Sequence, residues 1–256
     1  MVPLLLSVPR QSLFLSSQPL GRLVRVRPDR KWGNMTDSAL THVYVLLDRS
    51  GSMSAIADDT VGGFAAFVRE QQSVPGRCRL SLAQFDDVYD RVYAAVDIRD
   101  VPPLVLQPRG STALHDAMIR LIGEAGEELA ALPEEQRPGT VLVAVLTDGH
   151  ENASKEATGP MVKALVEQQQ SQWGWQFTYL GANQDAVLTA EGLGIRAEDA
   201  LTYAAGNVDA AFSGQSAKTR RLREARLSGA SMADAAAAAA YTAEERLAAG
   251  GGVPPR

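Results

Sequence analysis

The chain has 256 residues, of which 45% are hydrophobic and 21% charged, as in an ordinary soluble globular protein that holds one sizeable α/β domain or two small ones. A single cysteine, Cys78, excludes an intramolecular disulfide and a cysteine-based zinc site. No apolar run approaches the roughly 20 residues that span a bilayer, so we expect no membrane insertion.

The first 34 residues differ from the rest in charge. They carry six of the 25 basic residues and one of the 30 acidic residues, so the remainder has a net charge of −10 against −5 for the whole chain. This acidic remainder argues against a nucleic-acid-binding domain. The basic segment fits either an organelle transit peptide or a non-functional extension with Met35 as the true start. We expect residues 1–39 to be a disordered extension and, without a credible secretory signal, a cytoplasmic protein.

The first half of the chain predicts alternating strands and helices. Residues 42–48 are almost continuously apolar, which is typical of a central parallel strand buried on both faces. Apolar residues at helical spacing predict a helix over 55–72. Residues 78–85 and 91–98 are joined by a short connection, which predicts a hairpin whose second strand is antiparallel and lies at the sheet edge.

The second half continues this alternation. We predict helices over 113–132, from Pro160 to about 172, over 184–191 and over 208–227, and strands over 140–147, 176–180 and 201–204. This order indicates a Rossmann-like, doubly wound, mostly parallel six-stranded sheet with one antiparallel edge strand and helices on both faces. The domain should span residues 40–227. An Ala/Gly-rich tail follows over 228–256, in which residues 235–240 would be helical if docked and 250–255 disordered.

A basic cluster on the last predicted helix is most simply a solvated face. Its members are Lys218, Arg220, Arg221, Arg223 and Arg226.

Three polar segments can meet in space, and the first and third of them each follow a strongly apolar strand. They are residues 48–52 (Asp-Arg-Ser-Gly-Ser), 110–112 (Gly-Ser-Thr) and 147–149 (Thr-Asp-Gly). In an open α/β sheet, the loops that follow the carboxyl ends of the strands share one crevice, where ligands bind. We therefore expect these segments to form one site.

The residue types in this predicted site are hard oxygen donors, two carboxylates and three hydroxyls. Mg²⁺ prefers an octahedron of such oxygens, and Mn²⁺ or Ca²⁺ could take the same donors. Neutral hydroxyl ligands would leave the ion under-neutralised, so that it would seek an anionic oxygen from outside. The pattern thus predicts a divalent metal that accepts a carboxylate from a partner. The expected ligands are Asp48, Ser50, Ser52, Thr112 and Asp148.

The Asp48-x-Ser50-x-Ser52 motif with Thr112 and Asp148 resembles the metal-ion-dependent adhesion site of von Willebrand factor A (vWA) domains. The resemblance covers about residues 40–226 and fits best the compact intracellular type found in bacteria. It implies that the two serines and the threonine contact the metal and that the aspartates act directly or through water. The Gly-Ser-Thr of the second loop, where many members have Gly-Gly-Thr, is a mild departure.

The resemblance also implies a non-enzymatic function. Intracellular members of the family often serve as adaptors in protein complexes, including complexes with ring-shaped ATPases. We therefore expect a protein partner that supplies Asp or Glu to the metal, with an ATPase complex as one such partner, and neither nucleic acid nor a membrane.

Three alternatives remain open at this stage. The serines and Asp48 could cap a helix, or the site could be vestigial. The chain could also be a Mg²⁺-dependent phosphatase or phosphotransferase of the haloacid dehalogenase type, with Asp48 as the nucleophile. Such enzymes usually carry a second acid two residues later, where this chain has Ser50, and a serine at its normal pKa is a poor general acid or base.

Overall fold

A computed structural model describes residues 12–15, 23–26, 36–182 and 185–251 of the chain. Six of its strands form one sheet in the spatial order β5-β4-β3-β6-β7-β8. All neighbours in this sheet are parallel except β4 and β5. The strands are β3 (Asp37–Asp48), β4 (Arg77–Phe85), β5 (Tyr89–Asp97), β6 (Pro138–Thr147), β7 (Gln176–Ala182) and β8 (Ala200–Tyr203), after the separate antiparallel pair β1 (Ser12–Leu15) and β2 (Leu23–Val26).

Helices cover both faces of the six-stranded sheet, and each face has its own apolar core. On one face, Phe64, Phe67 and Phe212 pack against the strands, and on the other Leu114, Leu121 and Val162 do so. The helices of the first face are α1 (Ala57–Ser73), α5 (Val208–Leu227), α6 (Met232–Ala238) and α7 (Ala243–Ala248); those of the second are α2 (Leu114–Ala131), α3 (Gly159–Trp173) and α4 (Ala186–Gly192).

The register of the three central strands brings their carboxyl ends to the same edge. Asp48 pairs with Phe85 of β4, and Leu47 pairs with Leu146 of β6. Strands buried on both faces show continuous apolar runs, and β3 and β6 are buried along almost their whole length. The loops that leave β3, β4 and β6 therefore begin side by side.

The predicted fold is confirmed. The sheet has six strands, is mostly parallel, and carries its one antiparallel strand, β5, at an edge. The predicted helices and strands begin and end within about two residues of the observed ones, except that β3 begins at Asp37 rather than at residue 42. Helix α5 has the predicted bounds at both ends. In the described part of the chain, no helix combines the length and the apolar character that crossing a membrane requires.

Of the basic cluster on α5, Arg220 is exposed as predicted, but the prediction of a solvated face is wrong for the other four residues. Lys218 and Arg223 are 4% and 2% exposed. The Arg223 guanidinium donates to the carbonyl oxygens of Gln71 and Val74, at 2.8 and 3.2 Å, at the end of α1. Those carbonyls have no partner within their own helix, so a cation at this end stabilises α1.

The segment after α5 packs onto the domain as two short helices. Arg221 of α5 pairs with Glu245 at 2.7 Å, and Arg246 donates to the carbonyl oxygen of Ala200 at 2.8 Å. Residues 252–256, and with them most of the disorder predicted for 250–255, lie outside the described residues. Of the extension predicted over 1–39, strands β1 and β2 and the start of β3 are described, and residues 1–11, 16–22 and 27–35 also lie outside.

Candidate metal site

Asp48 is the last residue of β3 and is fully buried. Its Oδ1 accepts the backbone N–H of Ser50 at 2.6 Å, and its Oδ2 accepts the hydroxyl of Thr147 at 2.5 Å. Among the described residues, no Lys, Arg or His contacts this carboxylate. Burial raises the pKa of Asp48 to about 6, although hydrogen bonds from Thr147 and Ser50 act to lower it. The carboxylate is held by neutral donors alone.

The serines of the motif and Asp148 form a continuous chain of oxygens. The hydroxyl oxygens of Ser50 and Ser52 lie 3.0 Å apart, and Ser52 Oγ donates to Asp148 Oδ1 at 2.6 Å. Ser50 precedes a short 3₁₀ turn, Gly51–Ala55, yet its side chain makes no capping hydrogen bond. The capping alternative therefore does not account for Ser50. Burial also raises the pKa of Asp148.

Thr112 reaches the same cluster from the second loop. A Cβ at Gly149 would lie 3.1 Å from Thr112 Oγ1 and 3.5 Å from Ser52 Oγ, so both hydroxyls face the backbone that follows Asp148. Thr112 is 2% exposed, and in the described part of the chain its hydroxyl takes part in no hydrogen bond. The structure thus brings together the five residues that the sequence predicted as ligands.

Backbone hydrogen bonds join the three loops. Arg109 N–H donates to the carbonyl of Arg49 at 2.8 Å, and Gly51 N–H donates to that of Gly110 at 3.1 Å. The Asn152 side-chain oxygen accepts Thr112 N–H at 3.0 Å, and the Thr112 carbonyl accepts Asn152 N–H at 3.0 Å. These bonds fix the relative positions of the loops without help from any other molecule.

Sequence reasoning missed several residues that build this site. Thr147 was noticed as part of a motif, but not as the hydrogen-bond donor to Asp48. Asn152 carried no signal, because a polar residue in a loop is ordinarily solvated. Asp86 directly follows β4, at the edge where the predicted ligands lie, and that placement could have identified it.

The residues present fit a small divalent cation. Neighbouring ligands in an octahedron with bonds of roughly 2.1 Å are about 3.0 Å apart, and the two serine oxygens have that separation. Within the described residues, no group of three or more His, Cys, Asp or Glu could hold a metal ion, so this site would depend on its hydroxyls. Two carboxylates that have no cationic partner among the described residues supply the negative charge that such an ion needs.

Comparison with known proteins gives similarities in structure alone. No family model and no curated protein matches the sequence. The ArnB paralog VWA2 of Sulfolobus acidocaldarius is 17% identical with a TM-score of 0.47, over 68% of this chain and 44% of that one. The vWF domain of the type V pili tip protein Mfa5 of Porphyromonas gingivalis is 13% identical with a TM-score of 0.49, over 69% and 93%.

A von Willebrand factor type A structure from Catenulispora acidiphila is 14% identical with a TM-score of 0.48, over 71% of this chain and 42% of that one. This chain therefore spans less than half the length of two of these three structures. Their descriptions name the family that the sequence resembles. At such identities and TM-scores they add nothing about the site, and the fold assignment rests on the sheet order described above.

Proposed function

We propose that this chain is a divalent-metal-dependent protein-interaction module without enzymatic activity. Mg²⁺ would be held by Asp48, Ser50, Ser52, Thr112 and Asp148, with Mn²⁺ or Ca²⁺ as substitutes. When bound, the ion supplies a Lewis-acidic position that can take a carboxylate oxygen from a partner protein. The cytoplasmic location and the ATPase complex expected from the sequence remain predictions.

One observation carries this proposal: Asp48 is a fully buried carboxylate whose described contacts are with neutral donors only. A buried charge without a partner is costly, and proteins ordinarily pair it or bind a metal to it. The nearby hydroxyls of Ser52 and Thr112 are the neutral oxygen donors that would complete such a site.

The position of the cluster favours an open site. Gly51 and Ser52 are exposed, whereas Asp48 and Thr112 are buried beneath them. An incoming group would therefore approach from the side of Ser52, at the carboxyl edge of the sheet. Because three of the five ligands are uncharged, we expect the metal to bind weakly without a partner and more tightly when a partner carboxylate joins it.

The phosphatase alternative lacks a suitable nucleophile. Both oxygens of Asp48 accept hydrogen bonds, and the residue is inaccessible to solvent. An attacking carboxylate must reach the phosphorus of its substrate, and the side chain two residues later is the hydroxyl of Ser50 rather than an acid. This arrangement supports binding rather than phosphoryl transfer.

The direct test is an affinity pull-down from the native lysate, in Mg²⁺ and in EDTA, with the wild type and Asp48→Asn. We expect a partner that is retained only by the wild type in Mg²⁺. Asp185→Ala is a matched control, since Asp185 is an exposed aspartate that caps α4 outside the cluster. Retention that is the same in Mg²⁺ and EDTA, or the same for Asp48→Asn, would contradict the proposal.

A further inference from the structure

Asp86 is a second fully buried carboxylate at the same sheet edge, and its surroundings are the opposite of those of Asp48. Its Oδ2 accepts Nε–H of Arg49 at 3.0 Å and Nε–H of Arg109 at 2.7 Å, and its Oδ1 accepts the backbone N–H of Val88 at 2.6 Å. A carboxylate that receives two guanidinium groups is fully compensated. It stays ionised and holds both arginines in place.

The backbone of Asp86 reaches the second loop as well. Its carbonyl oxygen accepts the N–H of Ala113, the residue after Thr112, at 2.9 Å. Its own N–H donates to the carbonyl of Val88 at 3.2 Å, which closes the turn between β4 and β5. Asp86 thus contacts the second loop at two points, through Arg109 before Thr112 and through Ala113 after it.

Arg49 joins the same residue to the first loop. It stands between Asp48 and Ser50, and its N–H donates to the carbonyl of Phe85 at 2.7 Å. Its guanidinium also pairs through Nη2 with Asp90 at 2.6 Å, so two of the guanidinium nitrogens are held, and the side chain is 10% exposed. A shift of Arg49 would carry both neighbouring metal-ligand candidates with it.

We infer that Asp86 is a positioning residue for the proposed metal site: through Arg49 and Arg109 it sets the distance between the loop of Ser50 and Ser52 and the loop of Thr112. The inference rests on the proposed function, because the distance between the two loops matters for a metal only if the loops bind one. In the described structure, Asp86 makes no hydrogen bond to any of the five predicted ligands. Residues of this kind hold ligands in place without touching the metal, and their loss typically weakens metal binding ten- to a hundredfold.

The test uses Asp86→Asn in the full chain with two readouts. Mn²⁺ alone is titrated and followed by its electron paramagnetic resonance signal, and amide hydrogen exchange is measured without metal. We expect the Kd for Mn²⁺ to rise about ten- to a hundredfold. We also expect faster exchange confined to residues 49–52 and 109–113. Arg109→Gln, which removes one half-exposed contact, should give a smaller change in the same direction if Asp86→Asn folds poorly.

Two control variants separate positioning from general destabilisation. Asp199→Asn breaks an equally buried ion pair elsewhere, and Arg99→Gln removes an exposed arginine that pairs with Asp97. Both should leave the Kd for Mn²⁺ and the exchange of the two loops unchanged. A folded Asp86→Asn with wild-type Mn²⁺ affinity, or with wild-type exchange in both loops, would overturn the inference.

The two claims can fail separately. If the wild type bound no Mn²⁺, the proposed function would be lost. The exchange data on metal-free protein would then decide alone whether Asp86 holds the loops together. Faster exchange in Asp86→Asn would support this positioning role, and unchanged exchange would overturn it.

Discussion

Two groups of charged residues, each centred on a buried aspartate, have opposite surroundings in this molecule. At the carboxyl edge of the sheet, Asp48 and Asp148 meet hydroxyls and backbone N–H groups. Beneath the C-terminal segment, Asp199 meets Lys218 Nζ at 2.5 Å and Arg196 at 2.6 Å, and the Lys218 and Asp199 side chains are 5% and 7% exposed. The second group carries its own countercharge, and the first does not.

The difference distinguishes a structural ion pair from the proposed metal site. Burying a charge costs several kcal/mol, which a close opposite charge and further hydrogen bonds can offset. The Asp199 group meets this condition, since Lys218 also donates to the carbonyl of Ala239 at 3.2 Å. Within the described chain, the Asp48 group has hydrogen bonds but no countercharge, as the proposed metal site requires.

The largest expected effect on stability comes from breaking the ion pair between Asp199 and Lys218. Asp199→Asn leaves the Lys218 ammonium buried without its carboxylate, which typically costs about 3–5 kcal/mol in the free energy of unfolding. Asp48→Asn should cost much less at pH 7 in metal-free buffer, because it removes a buried charge that has hydrogen bonds but no countercharge among the described residues. Denaturant unfolding of both variants measures the difference. Equal losses of stability would break the comparison.

A pH dependence of stability should come from Asp48 in metal-free protein. Its pKa is raised from 3.8 to about 6 by burial, so the folded state favours the protonated form. Protonated Asp48 therefore stabilises the folded state fully below pH 3.8, which is the pKa of Asp48 in the unfolded chain. This stabilisation is lost as the pH rises through about 6. A shift of this size corresponds to about 3 kcal/mol.

Denaturant unfolding of wild type and Asp48→Asn between pH 4 and pH 7 measures this contribution together with the weaker coupling of Asp48 to Asp148, because groups distant from the cluster titrate equally in both proteins. The wild type should lose stability relative to the variant as the pH rises. Parallel curves would show that Asp48 keeps an ordinary pKa.

The smallest expected effect concerns the loop that carries Asp148. Asn152→Ala removes the acceptor for Thr112 N–H, and one such bond is worth about 1 kcal/mol. Because Thr112 is a predicted ligand, we also expect Mn²⁺ to bind a few-fold more weakly. Gln168→Ala is the control that should change neither quantity, because Gln168 is a half-buried residue on α3 whose side chain, among the described residues, donates to Gln172. Equal Mn²⁺ affinity in wild type and Asn152→Ala would mean that Asn152 does not hold Thr112 for the metal.

The sequence was sufficient to predict the fold and the convergence of the site because both follow from local patterns. Continuous apolar runs identified β3 and β6 as central strands, and the parallel arrangement then required the loops after them to meet. Asp48, Ser50 and Ser52 are close in sequence, so their spacing could be read directly. The place of Asp148 followed from the topology, whereas the role of Thr112 was implied by the resemblance to vWA domains.

Features that depend on distant partners were not predictable in this way. Lys218 and Arg223 looked like solvent-exposed residues, since their partners Asp199 and Gln71 come from other segments. Asp86 likewise shows its importance only when Arg49 and Arg109 lie beside it. A single charged residue in a sequence does not indicate whether folding will bring an opposite charge to it.

The central claim is that the cluster around Asp48 binds a divalent cation, and a Mn²⁺ titration at pH 7 tests it most directly. The wild type should bind one Mn²⁺ per chain, in competition with Mg²⁺, whereas Asp48→Asn and Ser52→Ala should bind at least about tenfold more weakly while remaining folded. No binding by the wild type at millimolar Mn²⁺, or equal binding by both variants, would contradict the account.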